Sequence, residues 1–246
     1  MAAIALLTGA SGGLGQAAAV ELQQEGWTVA LVGRSEERLR SIYGSEALCI
    51  EADVSTPEGA RAAVAHCQQQ AGLPTALAHC AGTTLLSPLH RTTPELYRTC
   101  LTANLDSAFF TLGAFVDALR EAREPGAAVL VSSVVARIGV ANHEAIAAAK
   151  AGVEGLTRSA AATYAPSRIR VNAVAPGIMD TPAVARIIGN DASRAGAAKQ
   201  YPLPGIGNPA DLARLMAWLL SDKAGWITGQ VWAMDGGFSS IRPLVK

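Results

Sequence analysis

Short apolar runs alternate with longer stretches of helical periodicity along the whole chain. Continuous apolar runs predict strands over residues 3–8, 27–32, 47–51, 75–79, 127–132, 168–174 and 230–234. Between them, apolar positions spaced three and four apart predict helices over 13–25, 36–42, 57–70, 94–120, 142–164 and 209–221. The strand segments are apolar throughout rather than alternating, which is the pattern of strands covered on both faces. Repeated strand–helix units of this kind predict an α/β fold, a doubly wound, seven-stranded parallel sheet flanked by helices. No linker or break in composition divides the chain, so one domain over 1–246 is expected. The least regular stretch is 176–209, rich in Pro and Gly. It is too long for an ordinary connection and is expected to be a lid or substrate loop.

Composition narrows the function classes. Half the residues are hydrophobic and only 16% are charged, which suits a large core and excludes a disordered chain. Twenty basic residues balance twenty acidic ones, so no cationic face for nucleic acid is expected. The apolar start has no basic residues before it, and no run of 18 apolar residues is free of charge; neither a signal peptide nor a membrane span is expected. Cys49, Cys67, Cys80 and Cys100 form no C-x-x-C pair, so the expectation is reduced thiols in a cytoplasmic protein, with no metal site.

The first strand runs into Thr8-Gly9-Ala10-Ser11-Gly12-Gly13-Leu14-Gly15 and then a helix. A strand, a Gly-rich turn and a helix N-terminus make a pyrophosphate cradle, because backbone N–H groups and the positive end of the helix dipole meet the anion there. Gly9, Gly13 and Gly15 let the backbone turn and approach the phosphates. The second strand ends at Gly33 and Arg34 instead of at the Asp or Glu that a ribose 2′-hydroxyl would want. A guanidinium beside a small residue suits a 2′-phosphate, so NADP(H) is favoured over NAD(H). The alternative is a solvated Arg34 at a helix start, with Ser35 as N-cap.

Taken together, these segments resemble the short-chain dehydrogenase/reductases over essentially the full chain. The resemblance rests on the Gly-rich turn, Ala52-Asp53-Val54, Ala81-Gly82, Asn104, Ser132-Ser133, Lys150, Pro176-Gly177, Ile227-Thr228-Gly229-Gln230 and Asp235-Gly236-Gly237, all in family order. It implies a Rossmann-type fold. It implies that Ser11, Leu14, Asp53, Val54, Ala81, Gly82, Pro176, Gly177 and Thr181 line the cofactor. His79-Cys80 stands where the family usually has two Asn.

The resemblance also implies hydride transfer assisted by Asn, Ser, Tyr and Lys, read here as Asn104, Ser133 and Lys150. The Tyr position, four before Lys150 and so on the same helix face, falls on Ile146. Isoleucine has no ionisable proton and is no general acid. Tyr164 is eighteen residues further along the same helix, about 27 Å away at the usual rise. His143 is the better substitute: it lies about two turns before Lys150, the spacing at which the similar enoyl reductases place their Tyr, and imidazole trades protons at neutral pH. Glu144 points about 100° away on such a helix. Alternatively, Asn142-His143-Glu144 only begins the helix, with Asn142 as N-cap. Ser132 and Ser133 can serve substrate or merely backbone groups, whereas Lys150 on an Ala-rich face needs a partner such as the cofactor ribose.

Two readings follow. One is an NADP(H)-dependent oxidoreductase acting on a small carbonyl, alcohol or activated alkene, with altered proton donation. The other is a non-catalytic NADP(H)-binding sensor or partner subunit. The resemblance also implies a homodimer or homotetramer; Gly152 and Gly155 would let a second helix approach, and Trp226, Trp232 and Phe238 belong either to an interface or to the substrate pocket.

Overall fold

A computed structural model describes residues 3–242. Residues 1, 2 and 243–246 of the expected domain lie outside the described residues. The apolar runs form strands β1 (Ile4–Thr8), β2 (Thr28–Gly33), β3 (Cys49–Glu51), β4 (Ala76–His79), β5 (Gly126–Val131), β6 (Ile169–Pro176) and β7 (Val231–Met234). All pair in parallel, in the order β3-β2-β1-β4-β5-β6-β7. The order reverses between β1 and β4. That is where a doubly wound sheet opens a crevice at the carboxyl ends of its strands.

The helices are α1 (Gly13–Gln24), α2 (Glu36–Tyr43), α3 (Pro57–Gln70), α4 (Pro94–Leu101), α5 (Ser107–Ala122), α6 (Glu144–Tyr164), α7 (Ala185–Ile188), α8 (Asp191–Ala198) and α9 (Pro209–Leu220). Successive strand residues point to opposite faces, so each strand feeds two cores. Leu6 and Leu77 join Phe115, Leu119 and Val153 on the face covered by α3, α5 and α6. Leu7 and Leu31 join Leu22, Leu212 and Met216 on the face covered by α1 and α9. Burying both faces is why the strands carry no polar alternation.

Three segments differ in kind from the sequence reading, beyond shifts of one or two residues at other element ends. The helix expected over 94–120 is interrupted by a π-helical turn at Thr102–Asp106, which carries Asn104. The continuous helical path Pro94–Ala122 is long and apolar enough to cross a bilayer, yet α5 buries Leu112, Phe115 and Leu119 in the core. α6 starts at Glu144, not Asn142. Asn142 has φ of 64°, outside the helix, and His143 holds the cap position without a side-chain cap bond, so Asn142 is not the N-cap. The 176–209 segment is not a bare loop. β6 runs on to Pro176, α7 and α8 follow, and Asn190 and Ser193 form a capping box for α8.

Gly152 packs within its own chain: a Cβ there would lie 2.9 Å from Leu105. Gly155 has nothing within 4 Å of the same position. Trp218 and Trp232 meet edge to face at 6.3 Å, and Trp226 is fully exposed.

Candidate active site

The end of β1 turns back over the end of β4 at van der Waals limits. Gly9 has φ of 66°, and a Cβ on it would stand 2.6 Å from the Ala81 nitrogen. A Cβ on Gly15 would stand 2.3 Å from the Gly9 carbonyl oxygen. No larger residue fits either place, so the turn is built for close backbone approach. α1 starts after Gly12, which provides no side-chain cap, so the first-turn N–H groups remain donors to a ligand in the crevice. Ser11 gives its carbonyl to the Gln16 side chain at 3.1 Å, and Gly13 lies against Thr181 and Pro182.

The neighbouring strand ends complete this edge. Gly33 lies against Leu39, and Arg34 follows it with an exposed side chain. Ser35 caps α2 by accepting from the Arg38 N–H at 3.2 Å. The Glu51 carboxylate accepts from the Glu36 N–H at 2.9 Å. Asp53 accepts from the Ser55 hydroxyl at 2.7 Å and from its N–H at 3.0 Å. The Ser55 hydroxyl chiefly, helped by its N–H and the Arg34 charge against some desolvation, holds the Asp53 carboxyl below its ordinary range. Val54 beside it is buried. This edge fits a dinucleotide: a glycine cradle and a helix N-terminus, with Arg34 exposed at the end of β2.

His79 has a structural part. Ser107 gives its hydroxyl proton to the Ala103 carbonyl at 2.8 Å, so it accepts from His79 Nε2–H at 3.2 Å. His79 Nδ1 then accepts from the Thr8 hydroxyl at 2.9 Å. This chain ties β4 to β1 and to the start of α5. Burial, aided by the charge of Lys150, pushes the His79 pKa down to about 3, so the ring is neutral.

Beyond the crevice lies a cavity of about 400 Å³. The structure brings Asn104, Ser133, His143, Ile146 and Lys150 to its wall. Leu14, Gly82, Pro176, Gly177 and Thr181 line it too. Gly9, Ser11, Gly13, Gly15, Arg34, Asp53, Val54 and Ala81 do not reach this cavity and lie along the strand ends leading to it.

Lys150 is 8% exposed and donates to the Val131 carbonyl at 2.8 Å. Burial pushes its pKa down to about 8, with the Cys80 and Cys100 thiols offsetting part of that. Asn104 accepts from the Thr83 N–H at 3.2 Å and donates to the Cys100 carbonyl at 2.9 Å. A Cβ on Gly82 would lie 2.7 Å from Asn104 Oδ1 and 3.5 Å from Lys150 Nζ, so only glycine lets the strand end pass these two groups. Ser133 accepts weakly from the Val135 N–H at 3.4 Å, which leaves its hydroxyl proton for another acceptor. Ser132 also lines the cavity, with its hydroxyl 3.3 Å from the Lys150 carbonyl and 3.2 Å from the Glu154 carboxylate.

His143 Nδ1 is 2.8 Å from the Ala141 carbonyl. A carbonyl only accepts, so Nδ1 carries the proton and Nε2 is the nitrogen left to exchange one. Ile146 is 5% exposed and packs with Cys100 and Ala145. Tyr164 packs against the core, away from the cavity.

Several groups escaped the sequence reading. Glu154, 7% exposed, pairs with Arg137 at 3.0 Å, and Arg137 also donates to the Val231 carbonyl at 2.9 Å; together they brace the Ser132 strand end against β7. Tyr201 lines the cavity, stacks on Phe238 at 5.2 Å, and accepts from the Ile178 N–H at 2.7 Å. Phe238 thus belongs to the cavity wall. Tyr201 had no periodic signal, because it follows α8 in the least regular part of the chain.

Residues 9–239 match the sequence family described as enoyl-(acyl carrier protein) reductase. The chain is 34% identical over 244 residues to cis-4-hydroxycyclohexanecarboxylate dehydrogenase of Sinomonas cyclohexanicum, covering 97% of each protein. The chain belongs to the short-chain dehydrogenase/reductase family. Another family member, cyclohexanol dehydrogenase of Acinetobacter sp. (strain SE19), is 32% identical over 246 residues, covering 96% of this chain and 95% of that protein. The structure of ElxO with NADP bound superposes with a TM-score of 0.91 at 25% identity, covering 98% of this chain and all of that one. Relatives of this chain are named as dehydrogenases of hydroxy compounds and as reductases of carbonyl compounds, and one is named an inactive dehydrogenase.

Proposed function

We propose that the protein is an NADP(H)-dependent oxidoreductase acting on a small carbonyl, alcohol or activated alkene, with proton exchange moved from a phenol to His143. The observation that carries this reading is that His143 lines a cavity with Ser133 and Lys150 while the Ala141 carbonyl engages its Nδ1, which makes Nε2 the nitrogen for proton exchange. Bound nicotinamide would give the hydride in reduction and take it in oxidation. Ser133 donates a hydrogen bond to the substrate oxygen and fixes that oxygen. Lys150 and Asn104 hold the ribose side of the site, as their contact with Gly82 suggests. In reduction, protonated His143 gives its Nε2 proton to the oxygen as the carbonyl carbon gains hydride. In oxidation, neutral Nε2 takes the hydroxyl proton. Arg34, exposed beside Gly33, supports recognition of a 2′-phosphate. The open face at Gly155 and the exposed Trp226 support a homodimer or homotetramer.

The test is NADPH consumption across a panel of small ketones and enones, for wild type and His143→Ala. Loss of an acid–base group is expected to lower kcat by ~10²–10⁴-fold. An unchanged kcat in His143→Ala removes the imidazole from the mechanism. The second reading, a non-catalytic NADP(H)-binding sensor or partner subunit, is favoured by Ile146, an aliphatic side chain one turn from Lys150. It predicts tight NADPH binding with no turnover on the whole panel.

A further inference from the structure

We infer that the cavity takes an uncharged, predominantly apolar substrate and that Tyr201 is its specificity-determining hydrogen-bond donor; this rests on the oxidoreductase reading above. The wall away from the strand ends is built by Leu86, Val135, Val140, Ile146, Val184 and Phe238. A charged group placed against such side chains exchanges water for hydrocarbon, which is costly without a partner. Lys150 does not reverse this: its amine is buried, bonded to the Val131 carbonyl and turned towards Gly82 and Asn104, and on the reading above His143 is the neutral proton acceptor when NADP+ is bound.

Ser133 and His143 serve the reacting oxygen on the reading above; Tyr201, like Thr84 and Gln200, adds a further polar group to the wall. Its oxygen accepts from the Ile178 N–H, and an N–H takes no proton in return. The phenol proton is therefore directed to a partner other than that N–H. Burial raises the Tyr201 pKa, so the phenol stays protonated and acts as a donor. The ring is held by Phe238 and by Gly177, where a Cβ would come within 2.8 Å of Tyr201 Cε1. With Gly177, Ile178 and Met179 it also lines a second cavity of about 300 Å³. A ligand with an apolar ring or chain and one neutral acceptor matches this arrangement.

The probes are cyclohexanone, cyclohexanecarboxylate and methylenecyclohexane, titrated by calorimetry into protein saturated with NADP+, which pairs with the ketone without turnover. Cyclohexanone is expected to bind at least tenfold more tightly than the carboxylate. Tyr201→Phe keeps the ring packing and is expected to weaken cyclohexanone by ~3- to 10-fold, the worth of one neutral hydrogen bond, while methylenecyclohexane is unaffected. Equal or tighter binding of the carboxylate overturns the inference, as does an equal loss for ketone and hydrocarbon. No binding of any probe overturns it as well. Should Tyr201→Phe melt early, the wild-type ratio of cyclohexanone to methylenecyclohexane decides: a ratio near one overturns the donor. If NADP+ itself does not bind, the oxidoreductase reading fails, and the same titrations into the free protein still test the cavity.

Discussion

Ile146 lies one helical turn before Lys150 on α6, and the two side chains line the same cavity. Lys150 lies where it would steady a phenol one turn away, yet the neighbour it has is aliphatic. Ile146→Tyr places an acidic proton on that face. With His143 supplying the proton, the variant is expected to reduce small ketones with NADPH at close to the wild-type rate; a gain of ~10²-fold or more, what general acid catalysis supplies, favours the non-catalytic reading instead. NADPH absorbance with the ketone panel measures it. A variant no faster than wild type shows that proton supply does not limit the site.

The proposed preference for NADP(H) rests on Arg34. It is exposed at the end of β2, next to a glycine that leaves room for a ligand. Arg34→Ala is expected to weaken NADPH by ~10-fold or more, the loss of a charge-assisted hydrogen bond, and to leave NADH nearly unchanged. Fluorescence titration of both nucleotides reads the ratio. Wild-type protein that prefers NADH overturns the assignment.

His79 makes stability depend on acid. Its pKa is about 3 in the fold and 6.5 in the unfolded chain, so the unfolded state binds the extra proton between those values. The stability this ring contributes is complete above pH 6.5 and is lost as pH falls towards 3. At pH 4 the loss is about 3 kcal/mol. Melting curves of wild type are expected to fall more steeply from pH 6.5 to 4 than those of His79→Gln. Parallel curves would mean that the ring is already charged in the fold.

Lys150 acts at the other end of the pH scale. Its pKa falls from 10.5 to about 8 on folding, so burying the charged amine costs stability at neutral pH. The cost is relieved as pH rises from 8 to 10.5, because the folded amine is then neutral while the unfolded one still holds its proton. In cofactor-free protein, Lys150→Met is expected to be more stable than wild type at pH 7, by up to about 3 kcal/mol less the lost bond to Val131. The advantage shrinks towards pH 10.5. A gap that stays constant across this range would place the Lys150 amine in solvent. The same variant is expected to bind NADPH more weakly.

The fold was legible because apolar periodicity is a local property. Runs such as Ala5–Leu6–Leu7 and Ala127–Ala128–Val129 state that both faces are covered, and the Gly-rich turn states where the backbone must come close. Where local signals competed, the reading failed. Asn142 is a good cap by composition, but its backbone turns left-handed before α6, and His143 takes the cap position. The π turn around Asn104 has no signature in side-chain spacing, since it adds one residue to a helix that continues on both sides.

From the sequence alone came the wound sheet, the nucleotide edge and the aliphatic residue at position 146, because each depends on residues close together in the chain or on a spacing within one helix. Only the tertiary structure placed Tyr201 and Phe238 in the cavity wall, bound His79 between Thr8 and Ser107, and braced Ser132 through Glu154 and Arg137. Those contacts join segments from 17 to more than 70 residues apart, and only the packed chain brings their side chains within hydrogen-bonding range.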